Sequence, residues 1–286
     1  MASASRHELI ERAVPRGSSL HYALLYTPRQ AQPGLRALFA FQRELTRIPL
    51  EVHEPDVALA KLEWWRGELE RAGRGQAQHP IAQALAQTLL ADHALDRAPL
   101  LGLIEGVRLD LEYGLYPSFR ELSDYCHRVG SGIAELAATV CGCEDPETRR
   151  FAHDLGMALR LFSLLRNVRL HLDAGRLYIP EDELAQAGVD YAQLRGHRTT
   201  PAIRALFAQQ AARIRDFFAS ALQRLPAADW RRQRGGVALA ELYLALLTEM
   251  EAAGFPLLER RIHLTPINKF WIAWRATRRR RSRRDF

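Results

Sequence analysis

LLRNVRLHLDAGRLYIP, residues 164–180, is the stretch on which the reading of this chain turns. Its first part continues an apolar pattern at i, i+3 and i+4 that begins near Pro146, so it reads as the end of a long amphipathic helix. The helix runs into a Gly175-Arg176 turn, and Pro180 marks the stop. Asn167 and His171 stand one turn apart on it and share a face, which makes them a site, a disabled site or ordinary surface.

The same 3.6-residue period extends in both directions, and no sustained two-residue alternation interrupts it. Helices are expected over residues 19–25, 35–46, 57–72, 81–90, 99–114, 119–140, 146–172, 181–187, 201–222, 235–253 and 266–279. Short breaks separate them at Pro28 to Gly34, Pro49 to Pro55, Gly73 to Pro80, Gly142 to Pro146, Gly175 to Pro180 and Gly254 to Pro256. None has the length of an interdomain linker, so the expectation is an all-α, single-domain bundle over residues 1–274 with an Arg-rich tail at 275–286. A helical solenoid ranks second, because no repeat of 30 to 50 residues stands out.

With 286 residues, 48% of them hydrophobic, the chain can bury one large core or two smaller ones. Charged or amide side chains interrupt every apolar run before the ~18 residues a membrane span needs. The N-terminus lacks the apolar segment of a secretory signal, and Glu8 and Glu11 spoil the acid-poor pattern of a transit peptide. Cys126, Cys141 and Cys143 read as reduced core thiols, which points to a cytoplasmic protein.

A net charge of +7 suggests nucleic acid until it is located. Seven Arg and one Asp fall between Arg275 and Phe286, so the rest of the chain is almost neutral. The aromatic interleaving and recognition helix of a nucleic-acid module are missing, which leaves that partner disfavoured. Phe270, Trp271 and Trp274 directly precede the Arg run and suit an interfacial helix end on anionic lipid, placing the protein peripherally on the inner face of a membrane. A solvated, frayed C-terminus is the plain alternative.

Three further clusters carry chemistry or packing. Trp64 and Trp65 suit a core or groove wall. Gly130, Ser131, Gly132, Ala134 and Ala137 let a backbone approach closely, either a second helix or a ligand in a lined cavity. Arg176 and Tyr178 could hold an anionic group, and Arg176 equally suits a cap on the preceding helix. No phosphate loop, GxSxG elbow or HExxH pair is present, since the HELIE at His7 has the wrong second ligand for zinc.

Six segments resemble, in order and spacing, the squalene and phytoene synthase family: LRALFAFQREL, LEWWRGELERAGRGQAQHPIAQAL, LIEGVRLDLEYGLYPSFRELSDYC, LGMALRLFSLLRNV, AGRLYIPEDELAQAGV and MEAAGFPLLERRIHLTPINKFWIAWRA. The resemblance implies an isoprenoid-synthase-type helical bundle around a central apolar cavity. It also implies two DxxxD motifs that hold magnesium against a substrate diphosphate, because Asp at i and i+4 share a helix face and Mg2+ takes hard oxygen ligands. Here the first motif falls on Thr46 and Leu50 and the second on Asn167 and His171, with Arg47 and Arg169 adding positive charge beside them. Glu44 and Asp173 lie about 200° and about 240° around their helices from Thr46 and Asn167, too far to substitute.

The resemblance leaves Arg43, Tyr125, Arg166, Arg176 and Tyr178 as substrate- or lipid-binding residues, and Asp110 as a structural or polar cavity residue. No catalytic residue and no metal ligand is assigned, and no cofactor is expected. The degenerate first motif looks like that of the branch known as the mitochondrial complex I assembly factor. The leading expectation is therefore a non-catalytic protein that binds a prenyl lipid, or a protein partner in membrane-complex assembly. The alternative is a divergent prenyltransferase condensing prenyl diphosphates, with magnesium as its cofactor.

Overall fold

The computed structural model describes residues 6–91 and 96–278. Among the described residues fifteen α-helices follow one another: α1 (Arg6–Ala13), α2 (Ser19–Leu24), α3 (Gln32–Glu51), α4 (Pro55–Gly73), α5 (Pro80–Thr88), α6 (Ala98–Glu112), α7 (Phe119–Cys126) and α8 (Gly132–Val140). Then come α9 (Pro146–Arg166), α10 (Val168–Asp173), α11 (Glu181–Ala187), α12 (Tyr191–Arg195), α13 (Pro201–Arg224), α14 (Arg234–Ala252) and α15 (Pro266–Arg278). No strand occurs among the described residues.

Local chemistry sets the helix starts. Asp145 precedes Pro146 and accepts from the Glu147 N–H, Thr200 precedes Pro201 and accepts from the Ile203 N–H, and Ser118 with Glu121 closes a reciprocal capping box on α7. The approach to α9 is fastened a second time by buried Asp229. Its Oδ2 accepts from the Thr148 hydroxyl at 2.7 Å and from the Glu144 and Asp145 N–H groups at 3.0 and 3.1 Å.

α9 is the centre of the bundle. It packs along α13 and also touches α7, α8 and α14. Phe151, Phe162, Phe207 and Phe218 on α9 and α13 are fully buried, each contributing about 1.5–3 kcal/mol relative to exposure. One hydrophobic cluster runs from Ala37 on α3 to Leu264 just before α15.

Between α7 and α8, residues His127–Ser131 form a wide π-type turn rather than the continuous helix expected over 119–140. The reason is tertiary. A Cβ on Gly130 would meet the Gly156 carbonyl oxygen at 2.6 Å, and one on Gly156 would meet the Ser131 Cα at 2.5 Å, so two backbones touch where only glycine fits. The Gln42 amide donates to the Val129 carbonyl at 2.8 Å, and the Ser131 hydroxyl donates to the His153 carbonyl at 2.9 Å.

Other boundaries also moved. The helix expected over 146–172 breaks at Asn167, whose φ of −103° and ψ of 19° separate α9 from α10. α3 continues through Pro49 to Glu51 where a break was expected; its surroundings hold it although proline removes one ladder donor. α1 and α12 were not anticipated. At the other end α15 passes Arg275 and reaches Arg278, so the expected tail boundary is no element boundary, and residues 279–286 lie outside the described residues. Among the described residues no helix is long and apolar enough to cross a membrane.

Candidate functional site

A cavity of about 360 Å³ opens between α3, α8, α9 and α14. α3 contributes Phe39, Gln42, Arg43 and Thr46; the π-type turn and α8 contribute Gly130, Ile133 and Ala134. α9 contributes Gly156, Leu159, Arg160 and Ser163, at i, i+3, i+4 and i+7, while α14 adds Leu239 and Tyr243, with Ala13 and Leu20 closing one side. The small-residue stripe thus serves both of its expected roles: Gly130 packs against α9, and Gly130 with Ala134 forms cavity wall. Among the described residues no Asp or Glu lines this space, and its charges are Arg43 and Arg160.

Arg160 is the better fixed of the two. Its Nη2 donates to the Tyr125 hydroxyl, and the guanidinium stands 4.9 Å from the centre of the Tyr125 ring. Its buried Nε has no hydrogen-bond partner among the described residues. Arg43 is largely exposed at the cavity edge, and desolvation followed by the charge of Arg47 lowers its pKa; a bound anion would favour its charged form.

Behind the cavity wall lies a polar aromatic cluster. Asp110, 1% exposed, accepts from the Tyr116 hydroxyl at 2.9 Å and the Tyr178 hydroxyl at 2.7 Å, with Arg176 Nη1 at 3.4 Å. Burial pushes its carboxyl upward in pKa, opposed by Arg176 and the two hydroxyls. Tyr178 stacks on Tyr125 with ring centres 5.6 Å apart. Arg176 donates to the Asp110 carbonyl at 2.5 Å and to the Pro49 carbonyl at 3.1 Å, so it ties α6 to the end of α3 instead of capping its own preceding helix.

The five residues expected to bind substrate or lipid therefore separate. Arg43 lines the cavity. Tyr125 and Tyr178 are buried, and Tyr125 is linked to the cavity through Arg160. Arg176 is engaged with backbone carbonyls. Arg166 turns toward the segment before α15, donating to the Ile262 carbonyl at 3.0 Å and lying 3.2 Å from His263 Nδ1; burial, and then Arg261, lower its pKa to about 10.

The side chains at the four positions that the resemblance matched to the aspartate motifs do not fit Mg2+. Thr46 lines the cavity, but its hydroxyl donates to the Gln42 carbonyl at 2.9 Å, and Leu50 offers no ligand atom. Asn167 donates its amide to the Ser163 carbonyl at 2.8 Å. His171 is 6% exposed, with its ring edge-on to Tyr178 at 4.8 Å. Burial, and then Arg160, push its pKa down to about 3, so it is neutral and its Nδ1 has no partner among the described residues. A neutral imidazole, an amide and a hydroxyl beside two arginines are a poor set for a hard cation. Arg47 and Arg169 add less charge than the sequence suggests, because Arg47 pairs with Glu51 and Arg169 with Asp173 on their own helices.

The sequence model of squalene/phytoene synthase matches residues 14–268 of the chain. The chain belongs to the squalene/phytoene synthase family. Among curated relatives, phytoene synthase of Mycobacterium tuberculosis is 28% identical over 272 residues, covering 93% of this chain and 87% of that protein. Chloroplastic phytoene synthase 1 of Arabidopsis thaliana is 29% identical over 256 residues, and the match covers 86% of this chain and 59% of that one. Among solved structures, a dehydrosqualene synthase in complex with ligand superposes with a TM-score of 0.81 at 17% identity, over 95% of this chain and 94% of its own, which supports the fold. Squalene synthase HpnC from Alicyclobacillus acidocaldarius superposes with a TM-score of 0.73 at 26% identity, over 87% and 94%. The isoprenoid-synthase fold expected for a family member is the fold observed.

Arg160, Gln42 and Ser163 escaped the sequence reading. A signal for two of them exists on α9, where Gly156, Arg160, Ser163 and Asn167 follow at i, i+4, i+7 and i+11 along one face.

Proposed function

We propose that this family member binds a prenyl ligand with an anionic head, without a magnesium cluster, and does not condense it. The observation that carries the reading is a cavity whose charges are Arg43 and Arg160 and which no carboxylate lines among the described residues. Arg forks are suited to phosphate oxygens, and the Tyr125 contact presets the geometry of one of them. Phe39, Ile133, Leu159 and Leu239 give the isoprenoid chain an apolar wall. Departure of a diphosphate needs its developing charge neutralised, and two arginines without the four carboxylates leave that demand largely unmet. A role in handling lipid or assembling a membrane complex follows from such a binder, in keeping with the sequence's likeness to the assembly-factor branch.

A second reading, prenyl transfer, draws on the relatives named phytoene synthase and squalene synthase, which match across most of the chain. Incubation with Mg2+ and farnesyl or geranylgeranyl diphosphate, following diphosphate release and apolar product together, separates the two. Silence beside an active phytoene synthase is expected; a condensed product would hand the assignment to the second reading.

For the membrane surface, support comes from α15. Ile267, Phe270 and Trp271 are exposed on it at i, i+3 and i+4, and Arg278 lies 4.2 Å over the Trp274 ring. Exposed aromatics beside a run of arginines suit an anionic lipid interface, at about 1 kcal/mol per basic residue near the surface.

A further inference from the structure

Near the Gly130–Gly156 contact, three side chains from three elements converge. His127 opens the π-type turn, Glu135 lies one turn into α8, and His153 lies on α9. One ligand atom from each lies within 4.8 Å of the others. We propose that His127, Glu135 and His153 form a binding site for a borderline divalent transition cation of the Zn2+ class, with water in the fourth position.

The orientation of His153 argues for a ligand. Its Nδ1 lies 3.0 Å from Asp154 Oδ1, which favours a proton on Nδ1 and makes Nε2 the lone-pair nitrogen of the neutral ring. Metal-bound histidines almost always donate the second ring N–H to a carboxylate, a backbone carbonyl or water. That carboxylate is itself held, since Asp154 Oδ2 accepts from the Ser220 hydroxyl at 2.6 Å and from Arg224 Nε at 3.1 Å. The Ser131 hydroxyl bonded to the His153 carbonyl fastens the turn carrying His127 to the helix carrying His153.

Closure needs little movement. Tetrahedral ligands on bonds of about 2.0–2.1 Å stand about 3.3 Å apart, so the widest pair would approach by about 1.5 Å. His127 is exposed and Glu135 half-buried, and side-chain rotation alone can supply that shift. The nearby Arg224 is paired with Asp154, and the Arg128 Cβ packs against Gly106 of α6. Two imidazoles and one carboxylate select Zn2+-class ions over Mg2+. The site is separate from Thr46, Leu50, Asn167 and His171, and a bound ion would brace the cavity wall by tying α8 and the turn to α9.

The test uses the full chain, stripped with a chelator, and Zn2+ alone. Calorimetric titration should give one ion per chain and a rise in Tm, with no response to Mg2+. His127→Ala, at an exposed position, should keep the fold by circular dichroism and lose at least about tenfold in Zn2+ affinity; Asp154→Asn should weaken binding by about tenfold. Co2+ substitution should give visible d–d bands without a thiolate charge-transfer band. Absence of Zn2+ binding, unchanged affinity in His127→Ala, or a strong thiolate band placing the ion on the cysteines would each overturn the proposal.

Discussion

Arg160 donates to the hydroxyl of Tyr125 while its guanidinium stands 4.9 Å from the centre of the same ring, so one tyrosine fixes a cation at the cavity wall by edge and by face. Among the described residues no carboxylate hydrogen-bonds to that guanidinium, and its buried Nε has no partner. A cation held in place and left under-satisfied is poised for an anion.

Arg160→Met should therefore separate binding from stability. Loss of a charge-assisted contact is worth about 1.5–3 kcal/mol, so affinity for a prenyl diphosphate should fall at least about tenfold. Folding stability should fall by no more than about 1–3 kcal/mol, the cost of leaving the buried Tyr125 hydroxyl without its Arg160 donor. A large stability loss with affinity intact, measured by urea unfolding and ligand titration, would make Arg160 a structural residue only.

Gly156→Ala should cost about 1–3 kcal/mol, since its Cβ would lie 2.5 Å from the Ser131 Cα and 2.7 Å from the Gly130 carbonyl oxygen, and backbone must move to admit it. Urea unfolding of the variant reads this directly. A change below about 0.5 kcal/mol would show that the turn and α9 are less closely apposed than described.

His171 gives a pH dependence of known sign. Its pKa falls from 6.5 to about 3 on folding, through burial and then Arg160, so the unfolded chain binds the extra proton between those values. Its contribution to stability is complete above pH 6.5 and is lost as the pH falls toward 3. In His171→Leu the slope of stability against pH in that window should be shallower by up to about 1.4 kcal/mol per pH unit. Identical slopes in the two proteins would place His171 in contact with water.

The α15 surface makes a separate claim. Deleting residues 279–286, or changing Trp271 to Ser, should lower co-sedimentation with anionic vesicles at low salt and leave the fold intact. If the shortened protein sediments with vesicles as the full chain does, the Arg run is not a surface anchor.

The helical class and the family were legible because α9, α13 and α14 carry long periodic patterns with capping residues at their starts, and the synthase segments fall in order along them. The π-type turn at His127–Ser131 was not legible, because its cause is Gly156, 26 residues from Gly130 in the chain. The lining of the cavity was only partly legible for a related reason. Motif matching selected Arg166, whose side chain serves the segment before α15, while Arg160 stands six residues earlier, about 240° around the helix, on the cavity face. Asp110, read as structural or as a cavity polar residue, is the buried acceptor that gathers Tyr116, Tyr178 and Arg176.

The central claim is that Arg43 and Arg160 replace magnesium in holding the anionic head. Titration of the purified chain with farnesyl diphosphate, once in chelator and once in excess Mg2+, tests it most directly. Saturable binding of similar affinity in both, weakened at least about tenfold by Arg160→Met, is the predicted result. Binding that needs Mg2+, or that Arg160→Met leaves unchanged, would contradict it.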